Sequence, residues 1–287
     1  MRIMTFNIRG ALYEDGLNHW RERASLNLRT LAQHVPDLLG LQEPHLENIN
    51  AYRQNLAGYG FELGTPYNDH DPYQYTAIGW NAQHLRLLES GGFWLSETPE
   101  VHSRSWETRC IRSATWARFE WLPTGLIFLH LNTHLDHVSE PARVEGARLI
   151  VHRLSQMAQE RLPMVVTGDF NCLPDSPAYQ VFQTAGFVDT YRALDGSSPA
   201  NTYHGFLGPA YDPTPENSDR IDWILLRGWQ GIAQLQSCEI LRDGEPPIFP
   251  SDHYPVIADL NLNLSCASSF GTETGANFPL SDALDVG

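Results

Sequence analysis

Along this chain, run after apolar run stops on a carboxylate, an amide or an imidazole. VVTGDFN (165–171) shows the pattern: a buried-looking strand ends on Asp169 and Asn171. Alternate strand residues share a face, so Val165, Thr167, Asp169 and Asn171 are expected to point one way. By the same parity Ile3 and Thr5 lead to Asn7, and Leu39 and Leu41 lead to Glu43. His130, Asn132 and His134 share a face, with Ile127, Leu129 and Leu131 on the other. RIDWILL sets Asp222 inside an apolar strand, and PSDHYPVIADL sets Asp252 and His253 just ahead of one. Each ending alone has an ordinary reading as a turn, a cap or a satisfied core histidine. Gathered in one place, the carboxylates are costly to bury unless a cation or a proton compensates.

The ligand types narrow that cation. Carboxylate and amide oxygens without cysteine suit Mg²⁺ or Mn²⁺, not zinc. Mg²⁺ is commonly held by one or two carboxylates together with substrate phosphate, which points to phosphoester chemistry.

Strands are expected over 3–8, 38–42, 77–80, 85–90, 115–121, 125–134, 164–169, 221–226 and 255–260. Helical spacing marks 21–35, with Ala24, Leu28, Leu31 and Val35 as its core stripe. It also marks 141–162, where Val144, Ala147, Ile150, Val151, Leu154 and Ala158 face inward behind an N-cap at Ser139. A shorter helix over 177–185 has Ser176 to cap it and Pro177 in its first turn. Strands outnumber helices, and the helices fall between groups of strands. That favours a β-sandwich with helices packed outside each sheet over a single parallel sheet. No linker divides the chain, so residues 1–264 are expected to form one domain. The small, polar tail 265–287 is expected to be loosely attached. The stretches 91–112 and 194–218 read as long loops rich in aromatics and histidine.

Composition bounds the partners. The formal net charge is −15 and all 19 basic residues are arginine. That balance disfavours a nucleic-acid backbone, which basic patches normally hold. Cys110, Cys172, Cys238 and Cys266 form no CxxC pair and read as free thiols of a reducing compartment. The start, MRIMTFNIRG, lacks a signal-peptide run, and no apolar window is long enough to span a membrane. These readings point to the cytoplasm.

Taken in order, TFNIRG, LQE, NTHLDH, GDFN, RIDWI and SDHYPV resemble the endonuclease/exonuclease/phosphatase superfamily, with its DNase I-like fold. The resemblance runs from residue 1 to about 262, and the form NTHL is similar to the nocturnin and deadenylase branch and its bacterial relatives. It implies an α/β, four-layer α-β-β-α sandwich of mostly antiparallel sheets with the site at one end. It implies that Glu43, helped by Asn7, holds the Mg²⁺ or Mn²⁺, with Asp252 close by. Asp169 would position or deprotonate the attacking water and Asn171 would orient the phosphate. His253 would stabilise phosphoryl oxygens, Asp222 would hold its imidazole, and His134 would assist. Arg112, Asn132 and His204 are the candidate substrate contacts.

The superfamily spans many substrates, so fold alone names none. A phosphatase or phosphodiesterase acting on a small phosphorylated metabolite or nucleotide fits the acidic charge. A nuclease, either a 3′ exonuclease on RNA or an endonuclease on DNA, is the alternative and would need a basic track. A non-catalytic binding module is the remote third reading, and no member of the polar set is missing to support it.

Overall fold

The computed structural model describes residues 1–158, 162–194 and 200–263, so the tail expectation lies outside the described residues. Among the described residues, twelve strands form two six-stranded sheets. The first sheet comprises β1 (Arg2–Asn7), β2 (Leu38–Gln42), β3 (Tyr59–Glu62), β4 (Thr76–Asn81), β11 (Ala233–Ile240) and β12 (Val256–Leu262), in the order β11-β12-β1-β2-β4-β3. The second comprises β5 (Leu85–Trp94), β6 (Ser113–Trp121), β7 (Leu126–His134), β8 (Met164–Asp169), β9 (Val188–Asp189) and β10 (Asp222–Arg227), in the order β5-β6-β7-β8-β10-β9. Within each sheet one pair is parallel, β1 with β2 and β7 with β8, and the other pairs are antiparallel.

Each parallel pair needs a crossover. Helix α1 (Trp20–His34) makes the first, and α3 (Glu140–Ala158) the second. The other α-helices among the described residues are α2 (Leu46–Asn55), α4 (Pro177–Thr184) and α5 (Thr190–Leu194). Three apolar clusters define the layers. Ile3, Leu38, Ile78, Phe119, Phe128, Val165 and Ile224 fill the space between the sheets. Met4, Phe6, Leu39, Leu41, Ile49 and Tyr52 lie between the first sheet and α1 and α2. Leu129, Leu131, Ile150, Leu154, Val166 and Phe182 join the second sheet to α3 and α4. The result is the α/β, four-layer sandwich. Among the described residues no helix is long and apolar enough to cross a membrane.

The caps behave as expected. Ser176 Oγ accepts the Tyr179 N–H, and Ser139 Oγ accepts the Ala142 N–H. The α1 stripe differs. Its buried residues are Trp20, Arg23, Leu26, Asn27, Thr30 and Leu31, while Val35 lies past the helix and is half exposed. The inward face is partly polar because the loops beneath it present carbonyls that need donors. The segment expected as a loop from residue 91 begins as strand, since β5 runs on to Trp94.

The topology sets the site's position. The C-terminal ends of β1, β2, β7 and β8 lie at the same end as the N-terminal starts of β10 and β12. Strand register then aligns side chains: His134 pairs with Asp169, and Asp169 with Asp222, across three neighbouring strands. Beneath them lies a polar floor between the sheets. Gln42 Nε2 donates to Asn132 Oδ1 at 2.7 Å and to Thr5 Oγ1 at 3.0 Å. Asn132 Nδ2 donates to the carbonyls of Leu41 and Ala77 at 2.8 and 2.9 Å. Thr167 Oγ1 donates to Asn132 Oδ1 at 3.1 Å. Gly40 has no alternative here, because a Cβ would collide with Thr167 Oγ1 and Asn132 Oδ1.

Candidate active site

Asp169 is the hub. It is 1% exposed, and its two oxygens receive separate donors. Oδ1 accepts the Asn171 N–H at 2.9 Å, and Oδ2 accepts Asn7 Nδ2 at 2.9 Å. His134 Nε2 lies 3.3 Å from the same Oδ2, and His253 Nε2 lies 3.8 Å from it. Burial, and then the charge of Asp222, push the Asp169 carboxyl up to about 7 against the pull of His253, Asn7 and the Asn171 N–H.

The two histidines differ in charge. His253 Nδ1 is 2.9 Å from Asp222 Oδ2. Burial works against the charged imidazole, but the carboxylates of Asp222, Asp169 and Asp252 outweigh it and raise His253 to about 10. His253 is therefore an imidazolium that donates to Asp222 and turns Nε2–H into the site. His134 is held neutral: burial, reinforced by Arg112, lowers it well below the usual histidine range. Its Nδ1 faces the Tyr67 hydroxyl at 3.2 Å, and burial keeps that phenol protonated. The hydroxyl thus donates to Nδ1, which leaves Nε2–H aimed at Asp169.

A third group collects around Glu43. Asn7 Nδ2 donates to Glu43 Oε1 at 3.0 Å as well as to Asp169. Glu43 Oε2 is buried with no partner among the described residues. Burial raises the Asp252 carboxyl, the Glu43 charge adds to the rise, and Arg9 Nε stands 3.8 Å away. An orphaned carboxylate oxygen beside a second, repelled carboxylate is the setting a hard divalent cation relieves, so these donors fit Mg²⁺ or Mn²⁺. Asp169, Asp222 and His253 also present ligand atoms within 4.8 Å of one another. There the His253 Nδ1 is already committed to Asp222 and the ring is protonated, so that trio is better suited to carrying charge and protons.

Strand parity brings Asn7, His134 and Asp169 into the inter-sheet space as expected. It fails for Glu43 and Asn171. Leu39 and Leu41 face the outer helices, and Glu43 reaches the site only because the chain leaves the extended conformation at φ 67. Asn171 likewise turns at φ 48, next to a strand that ends at Asp169, and its Nδ2 donates to the Leu135 carbonyl at 3.1 Å. Such left-handed backbone in non-glycine residues is uncommon and is often found at functional sites.

The three candidate substrate contacts fall differently. Asn132 is fully buried in the polar floor, its amide saturated by the contacts above, so it supports the site from below. His204 is 1% exposed, stacked on Tyr254 at 4.0 Å, with Nδ1 accepting the Gly208 N–H. Its neighbour Tyr203 takes the place facing the site, with its ring edge-on to His253 at 5.2 Å and its backbone bridged to His253. The expectation fell on His204, but alternation in this extended segment turns Tyr203, not His204, toward the site. Arg112 stands on the His134 side, 5.5 Å over the Tyr67 ring. Sequence reasoning missed Tyr67, Ser251 and Arg23. Ser251 Oγ donates to the Asn7 carbonyl at 2.7 Å, tying the Asp252–His253 segment to β1.

A phosphoesterase-type centre on a four-layer sandwich is what the fold and the site define together. The chain matches the Endonuclease/Exonuclease/phosphatase family over residues 4–253 and belongs to it. Members of this family are hydrolases acting on phosphoesters. A family protein of Bacteroides vulgatus is 33% identical, with 91% of this chain and 98% of that chain covered and a TM-score of 0.80. A mannosyl-6-phosphatase of Bacteroides thetaiotaomicron is 26% identical, with 91% and 100% covered and a TM-score of 0.80. The CCR4-Not complex 3′-5′-exoribonuclease subunit Ccr4 of Yarrowia lipolytica is 30% identical over 149 residues, which span 45% of this chain and only 20% of that protein.

Proposed function

We propose that residues 1–264 form a divalent-metal-dependent phosphoester hydrolase acting on a small phosphorylated metabolite or nucleotide. The observation that carries this reading is the convergence on Asp169 Oδ2 of Asn7 Nδ2, His134 Nε2 and His253 Nε2, with Glu43 sharing the same Asn7 amide.

Phosphoryl transfer needs charge neutralised on the non-bridging oxygens and a water held in line. Glu43, Asn7 and Asp252 would hold the Mg²⁺ or Mn²⁺, which when bound neutralises phosphoryl charge. The His253 imidazolium donates Nε2–H to a phosphoryl oxygen, and Asp222 keeps that ring charged and oriented. Asp169, with its carboxyl near 7, is suited to accept a water proton at neutral pH. Asn171 orients the phosphate and fixes Asp169 through its N–H. His134 holds the second face of Asp169.

The full-length likeness to a mannosyl-6-phosphatase supports a small phosphate ester. The partial likeness to an exoribonuclease subunit favours the second reading, a 3′ exonuclease on RNA. The net charge of −15 and the absence of lysine weigh against tracking a polymer backbone. A cytoplasmic location belongs to the same reading, supported by free Cys110, Cys172 and Cys238. The test is a panel with Mg²⁺ or Mn²⁺: labelled single-stranded RNA, plasmid DNA and a set of phosphorylated metabolites. Phosphate release from small esters is expected. Cleavage of polymers with no release from small esters would overturn the reading.

A further inference from the structure

Arg112 is a buried cation that the chemistry above leaves unused. Its side chain is 8% exposed. Its fork makes a single hydrogen bond among the described residues, from Nη2 to His137 Nδ1 at 3.1 Å, and Nε is buried without a partner. The nearest carboxylate, Asp136, has Oδ1 4.0 Å from Nε. That carboxylate is already engaged: Oδ1 accepts the Arg109 N–H at 3.1 Å, and Oδ2 accepts the N–H groups of Val138 and Ser139 at 3.0 and 2.7 Å. An arginine withdrawn from water normally has its fork filled by a carboxylate or a phosphate. Here the fork is left open.

Its neighbourhood places it beside the reacting groups. The Arg112 guanidinium lies over Tyr67, whose hydroxyl holds His134, whose Nε2 faces Asp169. Arg112 Nη2 can only donate, so His137 Nδ1 accepts and the proton of that neutral ring sits on Nε2. His137 is exposed, so it offers this second donor to solvent next to the arginine. Arg9, beside Asp252, is by contrast paired with Asp15 through Nε and Nη2, at 3.1 and 3.0 Å.

We propose that Arg112 and His137 form an anion subsite flanking the Asp169 cluster that takes the second charge of a phosphate monoester, and so selects monoesters over diesters. The inference deepens the hydrolase reading and rests on it for the choice of substrate. A diester carries one negative charge near neutrality, whereas a monoester carries about −1.5 to −2. A planar fork with open donors meets the additional oxygen charge, and a diester puts a carbon substituent there instead.

The experiment compares p-nitrophenyl phosphate with bis(p-nitrophenyl) phosphate for wild type, Arg112→Met, Arg112→Lys and His137→Ala. It also measures inorganic phosphate binding to the metal-free proteins by calorimetry. Arg112→Met is expected to lose about 100-fold in kcat/KM on the monoester and at most about 3-fold on the diester. His137→Ala is expected to lose about 5-fold on the monoester, and both variants should bind phosphate at least about 10-fold more weakly. Equal losses on the two esters, or unchanged phosphate binding, would overturn the subsite. His137 is exposed, so His137→Ala keeps the comparison decisive should Arg112→Met fail to fold. If wild type binds phosphate through Arg112 yet hydrolyses neither ester, the hydrolase reading fails and the subsite stands.

Discussion

Arg23 donates to the Pro250 carbonyl at 2.9 Å from the same nitrogen that donates to the Ile8 carbonyl at 2.8 Å. Further bonds reach the carbonyls of Asn18, Arg9 and Gly10, and Asn27 Nδ2 reaches Pro250 at 3.1 Å. One guanidinium on α1 thus ties the segment leaving β1, just past Asn7, to the segment that carries Asp252 and His253. Arg23→Met strands several buried carbonyls and is expected to cost on the order of 3 kcal/mol. Urea unfolding reads this, and a variant as stable as wild type would refute the role. Arg23→Lys, which lacks the fork, should recover only part of the loss.

Asp169→Asn keeps the size of the side chain and removes the proton acceptor. Turnover is expected to fall by about 1,000-fold or more, with metal binding largely kept. Single-turnover kinetics beside a metal titration checks it. A variant with near wild-type turnover would remove Asp169 from proton transfer.

Glu43→Gln addresses the cation. In wild type, Mg²⁺ or Mn²⁺ should raise the melting temperature, since a ligand at about 100 times its Kd stabilises by roughly 2.7 kcal/mol. EDTA should reverse this. In Glu43→Gln the metal-induced rise should shrink or vanish. An equal rise in both proteins would place the ion elsewhere.

The metal-free protein should show a signed pH dependence. His253 is raised from its ordinary 6.5 to about 10, so its charged form favours the folded state. That stabilisation is complete below about pH 6.5 and is lost as pH rises through about 10. Asp169 acts in the same direction at lower pH: raised from 3.8 to about 7, its ionisation opposes folding, so stability falls as pH rises across that interval. Below about pH 6.5 the buried neutral histidines act the other way, since His130 and His204 are lowered to about 3 and His134 well below its ordinary range. Melting temperature in EDTA should therefore decline above about pH 7, as His253 loses its proton, and Asp222→Asn should flatten that decline. An unchanged upper slope in Asp222→Asn would mean that Asp222 does not hold the imidazolium.

Much of the centre was legible because its residues end strands, where hydrophobic alternation makes a polar residue conspicuous. Asn7, His134 and Asp169 follow that rule, whereas Asp222, expected inside a strand, is the first residue of β10. Glu43 followed it only by coincidence, since a left-handed residue, not parity, aims it inward. Arg23 was hidden because a buried arginine on a helix breaks the apolar stripe that marks the inward face. Tyr67 lies in a connecting segment with no periodicity to flag it. Strand β11 escaped notice because the alternation of its sequence, AQLQSCEI, changes phase at a bulge between Leu235 and Ser237. Helix α2 had a signal in Ile49, Tyr52 and Leu56, which are all buried, but it was short and followed a proline.

The floor formed by Gln42, Asn132, Thr167 and Thr5 works as a crossbeam between the two sheets. Slippage of one sheet against the other would have to break several buried polar contacts at once, so the separation between Glu43 and Asp169 is set below the surface. The mouth, where Tyr203 and the exposed His137 stand, shares none of those hydrogen bonds. Remodelling the mouth to accept a different ester should therefore leave the reacting distances intact, and grafting rim segments is the economical route to retargeting this scaffold.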